Sequence, residues 1–112
     1  MDRIKENFTE SIQTKIAAAE ALSNDIQTAA QMLTICLLNG NKILACGNGP
    51  AAALSQLFVS QLVHRFETER PSLPALALSA DSCLLSGVAA ENGFSDVYAK
   101  QIRALGQQGD IM

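Results

Sequence analysis

Apolar residues recur every three or four positions near the start of the chain. Ile4, Phe8, Ile12, Ile16 and Ala19 make one stripe, and Ile26, Ala30, Leu33 and Leu37 make another. That period predicts amphipathic helices, because a turn of about 3.6 residues brings such positions onto one face. Ser23 or Asn24 has the chemistry of a helix cap, and Asn39-Gly40-Asn41 that of a stop. The spacing therefore predicts a helical hairpin over residues 1–41. Met32, Ile35, Cys36 and Leu38 widen the apolar surface of the second stripe. Such a helix is expected to be covered on two sides, one of them by a partner subunit.

From Lys42 onward the pattern changes. Ile43-Leu44-Ala45-Cys46 is too short an apolar run for a helix and reads as a buried strand. Gly47-Asn48-Gly49 follows as a loop, and Pro50 suits the first position of a helix, where no N–H is needed. The helix is expected to run from Ala51 to Phe66 and to end in a solvated polar turn, Glu67-Thr68-Glu69-Arg70-Pro71. Leu73 to Leu78 predicts a second buried strand. Asp81 or Ser82 caps a helix through Ala90, Glu91-Asn92-Gly93 turns the chain, and Ser95 or Asp96 caps a helix to Leu105. Gly106 to Asp110 reads as another turn, and Ile111-Met112 as the start of a third strand. Strands alternating with helices over residues 42–112 predict an α/β fold, with helices on both faces of a parallel sheet. Two complete strands are few for such a sheet, so the pattern reads as a fragment of a longer domain, or as a sheet that another copy completes.

Composition narrows the function classes. The 112 residues are 48% hydrophobic and 17% charged, with a net charge of −3 from 8 basic and 11 acidic side chains spread along both halves. No basic patch emerges to concentrate on a phosphate backbone, which argues against direct nucleic-acid binding. No apolar run approaches the roughly 20 residues of a membrane span, and the first residues lack a signal-peptide core, so a cytoplasmic protein is expected. Cys36, Cys46 and Cys83 are widely spaced, with only His64 to join them, and read as buried thiols. His64 itself, beside Arg65, reads as a surface histidine.

The glycine loop carries the most chemistry. Two glycines around Asn48 allow successive N–H groups to converge, and a helix starting at Pro50 adds its positive end, an arrangement suited to phosphate or carboxylate. A dinucleotide fingerprint is excluded, because its third glycine falls at Ala52. Ala51 offers no hydroxyl to a phosphate oxygen. Asp81-Ser82 lies where α/β sheets bind ligands, but its composition is that of a helix cap.

Gly47-Asn48-Gly49, Gln56-x-Phe58, the run Arg65 to Ala75, and Asp96-Val97-Tyr98-Ala99-Lys100-Gln101 with Ala104-Leu105-Gly106 and Gly109-Asp110 together resemble the sugar isomerase (SIS) domain of the phosphoheptose isomerase group. Phe8 to Thr14 and Leu37 to Leu44 are most similar to those members of the group that serve as adaptors for the replication initiator DnaA. The resemblance implies a three-layer α/β/α fold, a homotetramer built largely through the N-terminal helices, and a chain that covers only the N-terminal part of the domain.

In the isomerases the helix after the loop carries a histidine metal ligand and, four residues on, a glutamate that is ligand and base. Those positions hold Leu57 and Gln61. A hydrocarbon cannot bind zinc and an amide cannot take the proton, so no catalytic residue, metal ligand or cofactor is expected. An Asn-Asp pair that contacts sugar in the isomerases falls at Ala90-Glu91. Gly47, Asn48, Gly49 and Glu91 remain as the candidate sugar-phosphate ligands. The resemblance thus implies a non-catalytic adaptor that binds DnaA and promotes chromosomal replication initiation. The alternatives are a phosphoheptose isomerase or sugar-phosphate-binding protein, and a truncated half-domain without a function of its own.

Overall fold

The computed structural model describes residues 2–112. Its elements are α1 (Asp2–Leu38), β1 (Ile43–Ala45), α2 (Pro50–Val63), β2 (Ala75–Ala77), α3 (Ser82–Asn92), a 3₁₀ turn (Phe94–Asp96) and α4 (Val97–Leu105). They divide into one unit up to Met32 and a second unit from Leu33 to Met112.

The first unit is helix alone. The expected hairpin is not formed: α1 runs unbroken for 37 residues, about 55 Å at 1.5 Å per residue. Ser23 and Asn24 lie inside it. No glycine or proline occurs between Asp2 and Leu38, so nothing forces the chain out of the helical region. The Ser23 hydroxyl donates to the Ala19 carbonyl, and Thr28 Oγ1 donates to the Asn24 carbonyl at 3.1 Å. Side chains that cap a helix start here bond back to the preceding turn instead. Ile4, Phe8, Ile12, Ile16, Leu22 and Ile26 all remain exposed along this unit.

In the second unit the α/β expectation holds. β1 and β2 pair in parallel, with Ile43 opposite Ala75 and Ala45 opposite Ala77, and α2 forms the crossover that packs on both strands. The Leu78 N–H extends the ladder by donating to the Ala45 carbonyl at 2.8 Å. On the other edge of β1 the expected third strand contributes one parallel bridge, Ile43 to Ile111. The core gathers Cys36, Ile43 and Ala75 with Leu33, Leu37, Val59, Leu62 and Ile111. Leu78 and Val97 are its most enclosed large side chains, each 1% exposed.

A polar staple holds the third strand. Lys42 Nζ lies 2.6 Å from Asp110 Oδ2, the Lys42 N–H donates to Oδ1 at 3.0 Å, and the Gln107 N–H donates to Oδ2 at 2.8 Å. Asn41 Nδ2 reaches both Asp110 Oδ1 and the Gln108 carbonyl. The Lys42 ammonium, followed by the Lys42 backbone N–H, holds the Asp110 carboxyl well below the usual carboxylate range, against an opposing contribution from burial.

The ends of α2 are finished differently. Its start, at Gly49, has no side-chain cap. At its other end Arg70 places its guanidinium on the carbonyls of Gln61 and Leu62, with the Leu62 bond at 3.0 Å. The turn from Glu67 to Pro71 is therefore not wholly a solvated one: Arg70 satisfies carbonyls that the helix leaves open and places a cation at its negative end.

Candidate functional site

β1 delivers the chain to Cys46 and the loop Gly47-Asn48-Gly49 at the carboxyl edge of the sheet. A Cβ on Gly47 would stand 2.6 Å from the carbonyl carbon and oxygen of Ala51, so only glycine fits beneath the first turn of α2. Gly49 has φ 58° and ψ −126°, a backbone state open in practice to glycine, and it starts the helix directly before Pro50. Ala51 and Ala52 donate back to the carbonyls of Asn48 and Gly49 at 3.2 and 3.0 Å. No described residue accepts a hydrogen bond from the N–H of Gly47, Asn48 or Gly49.

One side chain outside the loop bonds it, and two others tie together the elements beside it. Tyr98, from α4, lies with its hydroxyl 2.6 Å from the Gly47 carbonyl and 3.0 Å from Asn48 Oδ1. A phenol has one proton, and the shorter bond to Gly47 uses it. The second contact is then satisfied by turning the Asn48 amide so that its NH₂ donates to the Tyr98 oxygen. Ser55, buried in α2, donates to the Ala52 carbonyl at 2.7 Å and stands 3.3 Å from the Ser79 hydroxyl just after β2. Gln101, also buried, donates from Nε2 to the Leu78 carbonyl at 2.8 Å and to the Val97 carbonyl at 3.0 Å. α4 thus grips both strand ends, β1 through Tyr98 and β2 through Gln101.

The candidate residues fare unequally. Gly47, Asn48 and Gly49 form one loop at the expected sheet edge, with Asn48 and Gly49 exposed. Glu91 lies exposed in the last turn of α3, and no hydrogen bond or ion pair among the described residues joins it to that loop. The turn expected at Glu91-Asn92-Gly93 starts later, because Glu91 and Asn92 complete α3 and only Gly93, at φ 99°, leaves it.

Asp81 caps α3, accepting from the Leu84 N–H at 3.0 Å. Leu57 is exposed on α2, and Gln61, one turn on, offers its backbone carbonyl to Arg70. Of the three cysteines expected to be buried, only Cys36 is; Cys46 is half-buried and Cys83, in the first turn of α3, is exposed. His64 is exposed at the end of α2, as expected.

Ser55 and Ser79 are not singled out in the sequence, and Tyr98 and Gln101 enter only within the run that carries the family resemblance, without a role. Their partners lie 23 to 51 residues away, beyond any local pattern. A further signal is that Tyr98 is the chain's single tyrosine.

No helix among the described residues is long and apolar enough to cross a membrane. No group of three or more histidine, cysteine, aspartate or glutamate side chains among them is placed to hold a metal ion.

Comparison with known proteins extends these observations. The chain is 57% identical over all 112 residues to the DnaA initiator-associating protein DiaA of Photorhabdus laumondii, and 59% identical to the protein of that name from Yersinia enterocolitica. It spans 57% of the length of each. Among solved structures, a phosphoheptose isomerase from Francisella tularensis superposes with a TM-score of 0.93 at 45% identity, over 98% of this chain and 58% of its own. Phosphoheptose isomerase GmhA from Neisseria gonorrhoeae gives a TM-score of 0.90 at 38% identity, over 98% and 57%. The chain accordingly corresponds to a little over half the length of these relatives. The family model for the SIS domain matches residues 7–112, and with the glycine loop, the parallel β1-α2-β2 unit and these relatives in agreement, the chain belongs to the SIS domain family.

Proposed function

We propose that this chain is the N-terminal portion of a non-catalytic adaptor that binds the initiator DnaA in the cytoplasm and promotes chromosomal replication initiation. The observation that carries this reading is identity of 57 to 59% along its whole length with proteins named for association with DnaA. The side chains at the family's metal positions agree with it. Leu57 is a hydrocarbon and Gln61 a neutral amide, so neither binds zinc nor removes a proton.

Self-association supplies the mechanism. The unit up to Met32 leaves a row of large apolar side chains in water from Ile4 to Ile26, and α2 exposes Leu54, Leu57 and Phe58. Faces of this kind are covered when copies assemble. A homotetramer would present several DnaA sites on one particle and raise the effective concentration of each weakly bound partner. The test is retention of DnaA by the immobilised chain, together with opening of origin DNA on its addition. A defined oligomer that retains no DnaA at micromolar concentration ends this reading.

A second reading, a sugar-phosphate protein, is favoured by the TM-score of 0.93 to a phosphoheptose isomerase and by the unpartnered N–H groups of Gly47, Asn48 and Gly49. Turnover of sedoheptulose 7-phosphate with added zinc separates an isomerase from an adaptor. Binding without turnover is the result expected if the loop keeps its anion and the helix has lost its chemistry.

A further inference from the structure

We propose that Tyr98 is a positioning residue for the glycine loop, holding the Gly47-Asn48 peptide in the orientation that receives a phosphate group. The inference rests on the sugar-phosphate reading above and adds a residue that this reading lacks.

The argument is one of peptide geometry. In a trans peptide the carbonyl of one residue and the N–H of the next point in opposite directions. Tyr98 binds the Gly47 carbonyl at 2.6 Å, so the Asn48 N–H faces away from the tyrosine, and no described residue takes it up. The same hydroxyl engages the Asn48 side chain at 3.0 Å, which ties both ends of that residue to one point on α4. Without it the Gly47-Asn48 peptide would lose its side-chain partner between two glycines, residues that allow wider backbone freedom than any other. A loop held in its bound shape binds more tightly because less ordering remains to be done on association.

Tyr98 is itself well anchored. Its neighbour Val97 is 1% exposed, which seats the start of α4 in the core. The tyrosine therefore carries the position of a packed helix to the loop.

The test compares two substitutions on the same helix. Tyr98→Phe removes only the hydroxyl, and Gln101→Met removes the bond to β2 while leaving the loop's own partner in place. Binding of sedoheptulose 7-phosphate, with inorganic phosphate as the second probe, is followed through the amide resonances of Gly47, Asn48 and Gly49, alongside the thermal midpoint of each chain. The expected result is that Tyr98→Phe weakens binding of both probes at least fivefold with a nearly unchanged midpoint, whereas Gln101→Met lowers the midpoint and leaves affinity within twofold. Equal affinity of Tyr98→Phe and the unaltered chain overturns the proposal alone. An unaltered chain whose loop resonances ignore both probes overturns the sugar-phosphate reading and the proposal with it. If both substitutions weaken binding in step with their loss of midpoint, Tyr98 is structural only, and the proposal is likewise overturned.

Discussion

The two units of this chain use the same kind of residue for opposite purposes. From Leu33 onward, aliphatic side chains such as Ile43, Leu44, Leu78 and Val97 are almost fully enclosed. Before that, Ile4, Phe8, Ile12 and Ile16 stand more than half exposed on a helix of perfect amphipathic spacing. Hydrophobic periodicity therefore identifies which face of an element wants cover, and says nothing about where the cover comes from. In the α/β unit the chain itself covers the strands, although α2 still leaves Leu54, Leu57 and Phe58 exposed. In the helical unit the row stays exposed, and a second copy is the cover we propose.

The contrast predicts a ladder of effects. Leu78→Ala opens a cavity in the most enclosed part of the α/β unit and is expected to cost about 2 to 5 kcal/mol, read from the urea midpoint. A change indistinguishable from that at an exposed position would mean the core lies elsewhere.

Asp110→Asn ranks next. The native pKa of Asp110 is depressed relative to the unfolded chain, so its contribution is complete above the unfolded value of about 3.9 and is lost as pH falls below it. Urea midpoints of the variant and the parent should differ at pH 7 and converge as pH falls from about 4 toward 2. Curves that stay parallel would remove the Lys42 staple from the account.

Asp81→Ala deletes the cap of α3 and is expected to cost about 1 kcal/mol by the same measurement, at a position that packs nothing. The smallest effect on folding belongs to the helical unit. Ile12→Asp should shift the midpoint of dilute monomer by no more than about 0.5 kcal/mol, as substitutions at exposed sites do. The same variant is expected to abolish assembly in sedimentation, and a variant that still assembles would exclude the Ile4 to Ile16 stripe as the contact.

Legibility followed the range of the interaction. β1, the glycine loop, Pro50, β2 and the Asp81 cap were plain in the sequence, because each depends on neighbours within a turn or a strand. The break expected at Ser23 and Asn24 was misread for the same reason: capping residues announce a helix start only when the backbone leaves the helix, and nothing there makes it leave. Arg70 looked like a surface cation, yet its partners are carbonyls eight and nine residues back. Tyr98, Gln101 and Asp110 reach across 51, 23 and 68 residues to loop, strand and staple, and no periodicity encodes such pairs. The candidate site was thus legible as a backbone and illegible as a supported structure.

The pairing of Ile43 with Ile111 also sets an order in time. A ribosome adding roughly 5 to 20 residues each second delivers Ile111 about 3 to 14 seconds after Ile43. Through that interval one edge of β1 stands open, with the Leu44 N–H awaiting the Ile111 carbonyl and Lys42 awaiting Asp110. An open parallel edge is a surface on which a growing chain binds the wrong neighbour. The staple at Asp110 closes that window and makes the last-made residues of this segment the ones that complete its first strand.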